Sequence, residues 1–375
     1  MRWLLTICFA FLSTAGFAQD ADREVALPFV TLVQPPDVPK LQATPLAAER
    51  VDKIEQLIHE LSGIVKRDLS LNSSSCGSTF VPVGQFGTFG NWTARRVEVS
   101  DPIRKLVEIG PEALPHLLAS LDDDTPTEIV IQAVETRGAI AGGMAFDEIL
   151  HGNPANPTER FTLNLNRFPY SASVRPKDEA AVSPEMESYR IKIGDVCLII
   201  IGQIVGRKYD CLSSPDVKSS GILVCSPVHR TTIRKRLRTI WESKHPRQKL
   251  LESLLLDFST RGLLQMDSLD YWDIGNDFQI ESTKRLLYYY PDIAVPLIVR
   301  RIKDLQTSDD FFDDCVRNGL RSDDFVDAIA WSNNEKIKSA LSALARKAKD
   351  NGLLRALQRA GVKIPERKQP NKKSR

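Results

Sequence analysis

The chain has 375 residues, 42% hydrophobic and 26% charged, which lies within the globular range and suffices for one large or two modest cores. Lys plus Arg number 50 against 48 Asp plus Glu, a formal net charge of +2. That balance excludes a global electrostatic bias toward nucleic acid or an anionic membrane, so a partner must be recognised locally, and the expected partner is another protein.

Met1-Arg2 supplies a positive start, Trp3 to Leu12 an apolar run and Ser13 to Ala18 a small-residue exit. This is the pattern of an export signal, predicted to be cleaved between Ala18 and Gln19, with the mature chain secreted or placed in the periplasm or cell envelope. Cys8 lacks the flanking residues of a lipobox, and no other segment approaches the length of a membrane span. Without Cys8, five cysteines remain: Cys76, Cys197, Cys211, Cys225 and Cys315. An odd number in an oxidising compartment leaves at least one thiol free or paired between chains. Cys197, inside Val196-Cys197-Leu198-Ile199-Ile200-Ile201, suits a buried inert position, whereas Cys211 and Cys225 flank a Ser/Pro/Gly-rich loop that a disulfide would clip.

Residues 19–44, with Pro28, Pro35, Pro36 and Pro39, have no sustained period and form a Pro-rich leader. A helical domain spans 45–365. It opens with a helix capped by Thr44, started by Pro45 and striped with Leu46, Val51, Ile54, Leu57, Ile58, Leu61, Ile64 and Val65. Gly84, Gly87 and Gly90 follow at a three-residue step that fits no phosphate loop, and Asn91-Trp92-Thr93 is a formal glycosylation sequon.

Asp101 to Asp123 is the clearest pairing unit. Asp101 and Pro102 start a helix striped with Ile103, Leu106, Val107 and Ile109. Gly110 stops it, and Pro111 and Glu112 restart a second helix carrying Leu114, Leu117, Leu118 and Leu121. Two short helices with one apolar stripe each must bury those stripes against neighbours. Through Leu106, Ile109, Gly110, Pro111, Ala113, Leu114, Pro115, Leu118 and Leu121 the unit resembles a HEAT-type repeat, including the short bacterial variety of phycobilin-lyase-like proteins. A looser copy spans Thr283 to Leu305, where Pro291, Asp292, Pro296, Leu297 and Ile302 echo the first. The resemblance implies a scaffold or binding surface rather than a reaction.

Thr125-Pro126-Thr127-Glu128 has the form of another helix start, continued by Ile129, Val130, Ala133 and Val134. From His151 the prolines multiply, and an irregular insertion is expected over about 151–241, anchored by Phe161, Phe168 and Tyr170. Within it, Ile193, Gly194, Asp195, Val196 and Cys197, then Gly202, Gln203, Ile204, Val205 and Arg207, then Ser226, Pro227, Val228 and His229 before a basic helix, are similar to a core shared by exported bacterial proteins of unknown function, a likeness that implies no activity. Gly194 and Asp195 start an apolar helix reaching Val205, with Asp195 as its cap and Gln203 and Arg207 as its polar reach.

Cys225 and His229 lack two further zinc ligands at regular spacing, and Ser226 lacks the glycines of a nucleophile elbow, so no catalytic, metal or cofactor site is assigned. If the insertion builds an enzyme site of hydrolase-like class, Arg207, Cys225 and His229 are its candidates. In the next helix Ile233, Leu237, Ile240 and Trp241 form the buried stripe. Arg230, Arg234 and Arg238 line a face beside Lys235 and Arg236, which is either a solvated face or a patch for an anion or acidic partner. Helices resume from Pro246; Ser332-Asn333-Asn334 caps another, Asn351-Gly352 breaks it, and a basic tail occupies 366–375. The expected fold class is mainly α: a degenerate HEAT-like solenoid or helical array with an irregular insertion and a short strand pair.

Overall fold

A computed structural model describes residues 31–32, 37–42, 45–65, 80–83, 100–132, 140–142, 159, 187–207, 209, 211–213, 222–224, 226–261, 264–265, 271–272, 274–305 and 322–364. The export signal, Asn91, the Gly84–Gly90 run, the aromatic anchors at 161, 168 and 170, Cys76, Cys225, Cys315 and the basic tail lie outside these residues. Among the described residues no helix is long and apolar enough to cross a membrane.

The protein is mainly helical. Its first helix, α1 (Ala48–Glu60), buries Ile54, Leu57 and Ile58, as the stripe predicts, but Ala47 rather than Thr44 stands at its N-cap. The pairing unit folds as α2 (Asp101–Ile109), a 3-10 turn from Gly110 to Ala113, α3 (Leu114–Ala119) and a further 3-10 turn through Asp122. Ser100 takes the N-cap and Asp101 is already helical. Gly110 adopts φ 72°, a left-handed conformation in which a side chain is strained, and the Tyr289 ring packs where its Cβ would stand.

The helix start expected at Thr125 is instead a strand, β2 (Pro126–Gln132), paired antiparallel with β4 (Ser188–Lys192) through Val130 opposite Arg190 and Ile131 opposite Tyr189. The physical reason is the two-residue period of Thr127, Ile129 and Ile131, all buried, between exposed Glu128 and Gln132: a β-branched alternation that suits a half-covered strand. Short strands β3 (Ile140–Gly142), β5 (Leu212–Ser213) and β6 (Ile222–Val224) form a second sheet, β6 being parallel to β3 and antiparallel to β5.

After β4 comes α4 (Ile193–Val205), in which every residue is buried. A helix apolar on all sides needs neighbours on all sides, and α4 packs against α1, α2, α3 and β4. The region expected as an irregular insertion therefore supplies a helix enclosed on all sides. Next come α5 (Thr231–Trp241) and α6 (Pro246–Ser259). The leader is tied to α6: β1 (Thr31–Leu32) pairs with β7 (Thr260–Arg261), and the Leu41 amide donates to Gln248 Oε1 at 2.9 Å. Strands β8 (Leu264–Gln265) and β9 (Tyr271–Trp272) make a hairpin before α7 (Ile274–Tyr289) and α8 (Pro291–Asp304). The looser repeat copy falls on the end of α7 and on α8, and it touches the first copy directly, since Tyr289 Oη donates to the Val107 carbonyl at 2.5 Å. Helices α9 (Ser322–Ile329), α10 (Glu335–Ala345) and α11 (Asn351–Arg359) close the chain against α7 and α8.

Candidate functional site

The most unusual chemistry lies at the two ends of α4. At its start, the amides of Ile193 and Gly194 donate to the carbonyls of Thr125 and Asp123, each at 3.0 Å, sealing two of the four groups that a helix N-terminus leaves open. Asp195 is the third helical residue and fully buried; its Oδ2 accepts from the Lys192 amide at 2.9 Å and from Tyr189 Oη at 2.7 Å. Lys192 rather than Asp195 stands at the N-cap, and Asp195 reaches back from the third position, its carboxyl at the positive end of the helix. Ser226 faces the same carboxyl and itself accepts from the Val228 amide at 3.2 Å, yet Asp195 Oδ1 is buried with no hydrogen-bond partner. Burial raises the Asp195 pKa, against the lowering effects of Ser226, Tyr189, the Lys192 amide and His229. Burial likewise raises the Tyr189 phenol, reinforced by the Asp195 charge. His229 is exposed and packs edge-on against the Tyr189 ring at 6.4 Å between centroids; partial burial, and Lys192 nearby, lower its pKa.

At the other end, Gly206 (φ 77°) turns the chain out of the helix, and Arg207 follows, fully buried. Its Nε and Nη2 donate to Glu159 Oε2 and Oε1 at 2.9 and 3.0 Å. Nη1 and Nη2 donate to Asp257 Oδ2 and Oδ1 at 2.6 and 3.1 Å, and Nη2 also meets Ser253. The guanidinium lies between the rings of Trp241 and Phe278, 5.8 and 5.1 Å from their centroids. Burial opposes this cation, but the Asp257 and Glu159 carboxylates more than offset it and hold the charge in place. A second buried arginine, Arg285, donates from Nε to the Gln203 carbonyl at 2.6 Å and from Nη1 to Glu281 at 2.6 Å, with the Phe80 ring 4.7 Å away. Both ends of the central helix are therefore matched in sign: an acid at its start, two cations at its finish.

The structure separates the sequence-derived candidates. Arg207 follows the C-terminal end of α4 and His229 packs on Tyr189 beside its start; the 13-residue helix is about 20 Å long by its rise. Cys225 lies outside the described residues, and Cys211 is buried next to β5. Cys197 is buried on α4 with its thiol pKa pushed up by desolvation. In the basic helix, Arg234 Nη1 donates to the carbonyls of Pro227 and Val228 at 2.6 and 2.8 Å. Arg238 donates to the Leu118 carbonyl at 3.2 Å and lies 3.7 Å from Asp122. Arg230 is half-buried, while Lys235 is exposed.

Sequence reading missed Glu159, Asp257 and Arg285. A lone acid within Leu254-Leu255-Leu256-Asp257-Phe258 was a signal of a buried partner; Glu159, in a proline-rich stretch without period, carried none. Among the described residues no group of His, Cys, Asp and Glu is arranged to hold a metal ion.

No family model matches this chain, and comparison with curated proteins and with solved structures likewise finds no match. The chemistry of the molecule must be read from its own residues.

Proposed function

We propose that this chain is an exported protein built on a degenerate HEAT-like helical array, and that it acts as a protein-binding or structural module whose contact surface includes the basic face of α5. The observation that carries the reading is the contrast between interior and surface charge. The buried cations Arg207 and Arg285 are enclosed with Glu159, Asp257 and Glu281 inside the fold, whereas on α5 Lys235 is exposed and Arg234, Arg236 and Arg238 are half-buried at the surface. Arg234 and Arg238 are also braced on the chain's own carbonyls, so they form a fixed row rather than a loose one.

The test is binding of the mature protein to an acidic polymer such as polyglutamate. Lys235→Glu with Arg236→Glu is the informative variant, because it leaves the braced arginines in place. The variant should weaken binding and steepen no salt dependence; equal binding by variant and parent would remove α5 from the contact surface. Export is tested separately: N-terminal sequencing of secreted material should begin at Gln19.

A second reading, an enzyme of hydrolase-like class, is favoured by one observation, the buried acid Asp195 beside Tyr189, Ser226 and His229, since perturbed carboxyls cluster at catalytic sites. It requires turnover that Asp195→Asn abolishes while the fold survives. Activity unchanged in that variant would end it.

A further inference from the structure

The Asp195 cluster has a consequence that depends neither on the binding reading nor on the enzymatic one. Asp195 is fully buried. Its Oδ2 takes two hydrogen bonds, from the Tyr189 phenol and the Lys192 amide, and its Oδ1 takes none. A charged oxygen buried without a hydrogen bond is costly, and a proton on it removes the charge while keeping both bonds at Oδ2.

We propose that Asp195 is a proton-binding site of the folded protein, neutral and protonated on Oδ1, and that its ionisation as pH rises loosens the junction of β4, α4 and the turn at 226–230. The Ser226 hydroxyl is the group turned toward this carboxyl, and the Val228 amide holds it there. The charges that bear on the cluster come from every side. The Ser226 and Tyr189 hydroxyls, the Lys192 amide and the charge of His229 in the turn favour the ionised carboxyl. Further charges act on its neighbours: Asp123 on Cys197, Asp124 and Lys192 on His229, and Cys211 on Tyr189. The helix dipole favours the anion, and burial opposes it. The opposing burial is the larger effect.

A carboxyl whose folded pKa lies above its unfolded one stabilises the fold fully below the unfolded value, about 4, and loses that contribution as pH rises through the folded value. Local opening at the junction therefore carries a readable signature. In hydrogen exchange, the protection of the Lys192 and Val228 amides, corrected for the chemical rate, should fall about tenfold per pH unit above about pH 4 and level off once Asp195 has ionised. In Asp195→Asn, whose amide oxygen accepts the same two bonds, the profile should be flat. A direct readout needs no variant: with carboxyl-labelled aspartate, the Asp195 13Cγ resonance should stay at its protonated position after those of exposed aspartates have moved. Coincident exchange profiles for parent and variant, or an Asp195 resonance that titrates with the exposed aspartates, would overturn the proposal.

Discussion

Arg207 and Asp257 form a two-point pair entirely inside the protein, with Nη1 to Oδ2 at 2.6 Å and Nη2 to Oδ1 at 3.1 Å. The pair joins the end of α4 to α6, and the second fork of the same guanidinium holds Glu159, the single described residue between 143 and 186. One side chain thus ties three parts of the chain together. Replacing Arg207 by Met leaves two buried carboxylates without a counter-charge, and the expected loss is roughly 3–5 kcal/mol in denaturant unfolding. Arg207→Lys should recover only part of it, because an ammonium cannot serve two carboxylates with two-point geometry. A loss below about 1 kcal/mol for the Met variant would show that the pair is not the tie described here.

Glu281 sets the acid limit of the α7 region. Burial raises its pKa, but Lys284 at 2.7 Å and Arg285 at 2.6 Å outweigh burial and bring it down from 4.5 to about 2. A lowered carboxylate pKa means stability present above about 4.5 and lost as pH falls toward about 2. Melting temperature followed across that interval should drop more steeply in the parent than in Glu281→Gln. Parallel acid limbs would contradict the assignment.

Gly110 and Tyr289 test the contact between the two repeat-like units. Alanine at 110 meets both a left-handed backbone and the Tyr289 ring, so Gly110→Ala should cost roughly 2 kcal/mol or more. Truncating Tyr289 as well should relieve part of that cost, so the double variant should be less unstable than the sum of the two singles. Strict additivity in chemical denaturation would mean that the two residues do not meet as described.

Asn334 caps α10 through its side-chain oxygen, which accepts from the amides of Lys336 and Ile337 at 3.0 and 3.4 Å. Asn334→Ala should cost about 1 kcal/mol, while Asn334→Ser should be near neutral. Calorimetry distinguishes the two.

The proposed Cys211–Cys225 clip is tested by mass mapping without reductant. A linked peptide would establish it, and recovery of both cysteines as alkylated thiols would eliminate it.

The apolar stripes of α1, α2, α5, α10 and α11 were legible in the sequence, because an amphipathic surface helix writes its own period; the starts were less so, since Ala47, Ser100 and Asp350 take the N-caps and Asn351-Gly352, expected to break a helix, open α11. The helix at 193–205 was also legible, although its N-cap is Lys192 and not Asp195. Its central position was not, since a helix apolar all round does not say what encloses it. The β2 strand was misread because Pro126 and Glu128 imitate a helix start, and only pairing with β4, some sixty residues later, favours the two-residue period. The sequence by itself thus determined the apolar faces that these amphipathic helices must hide. Tertiary structure decided which charges are buried together: Arg207 with Glu159 and Asp257, Arg285 with Glu281, and Asp195 with Tyr189. Local propensity acts over a few neighbouring residues, whereas the balance of desolvation against charge pairing depends on side chains brought together from as far as 50 residues away.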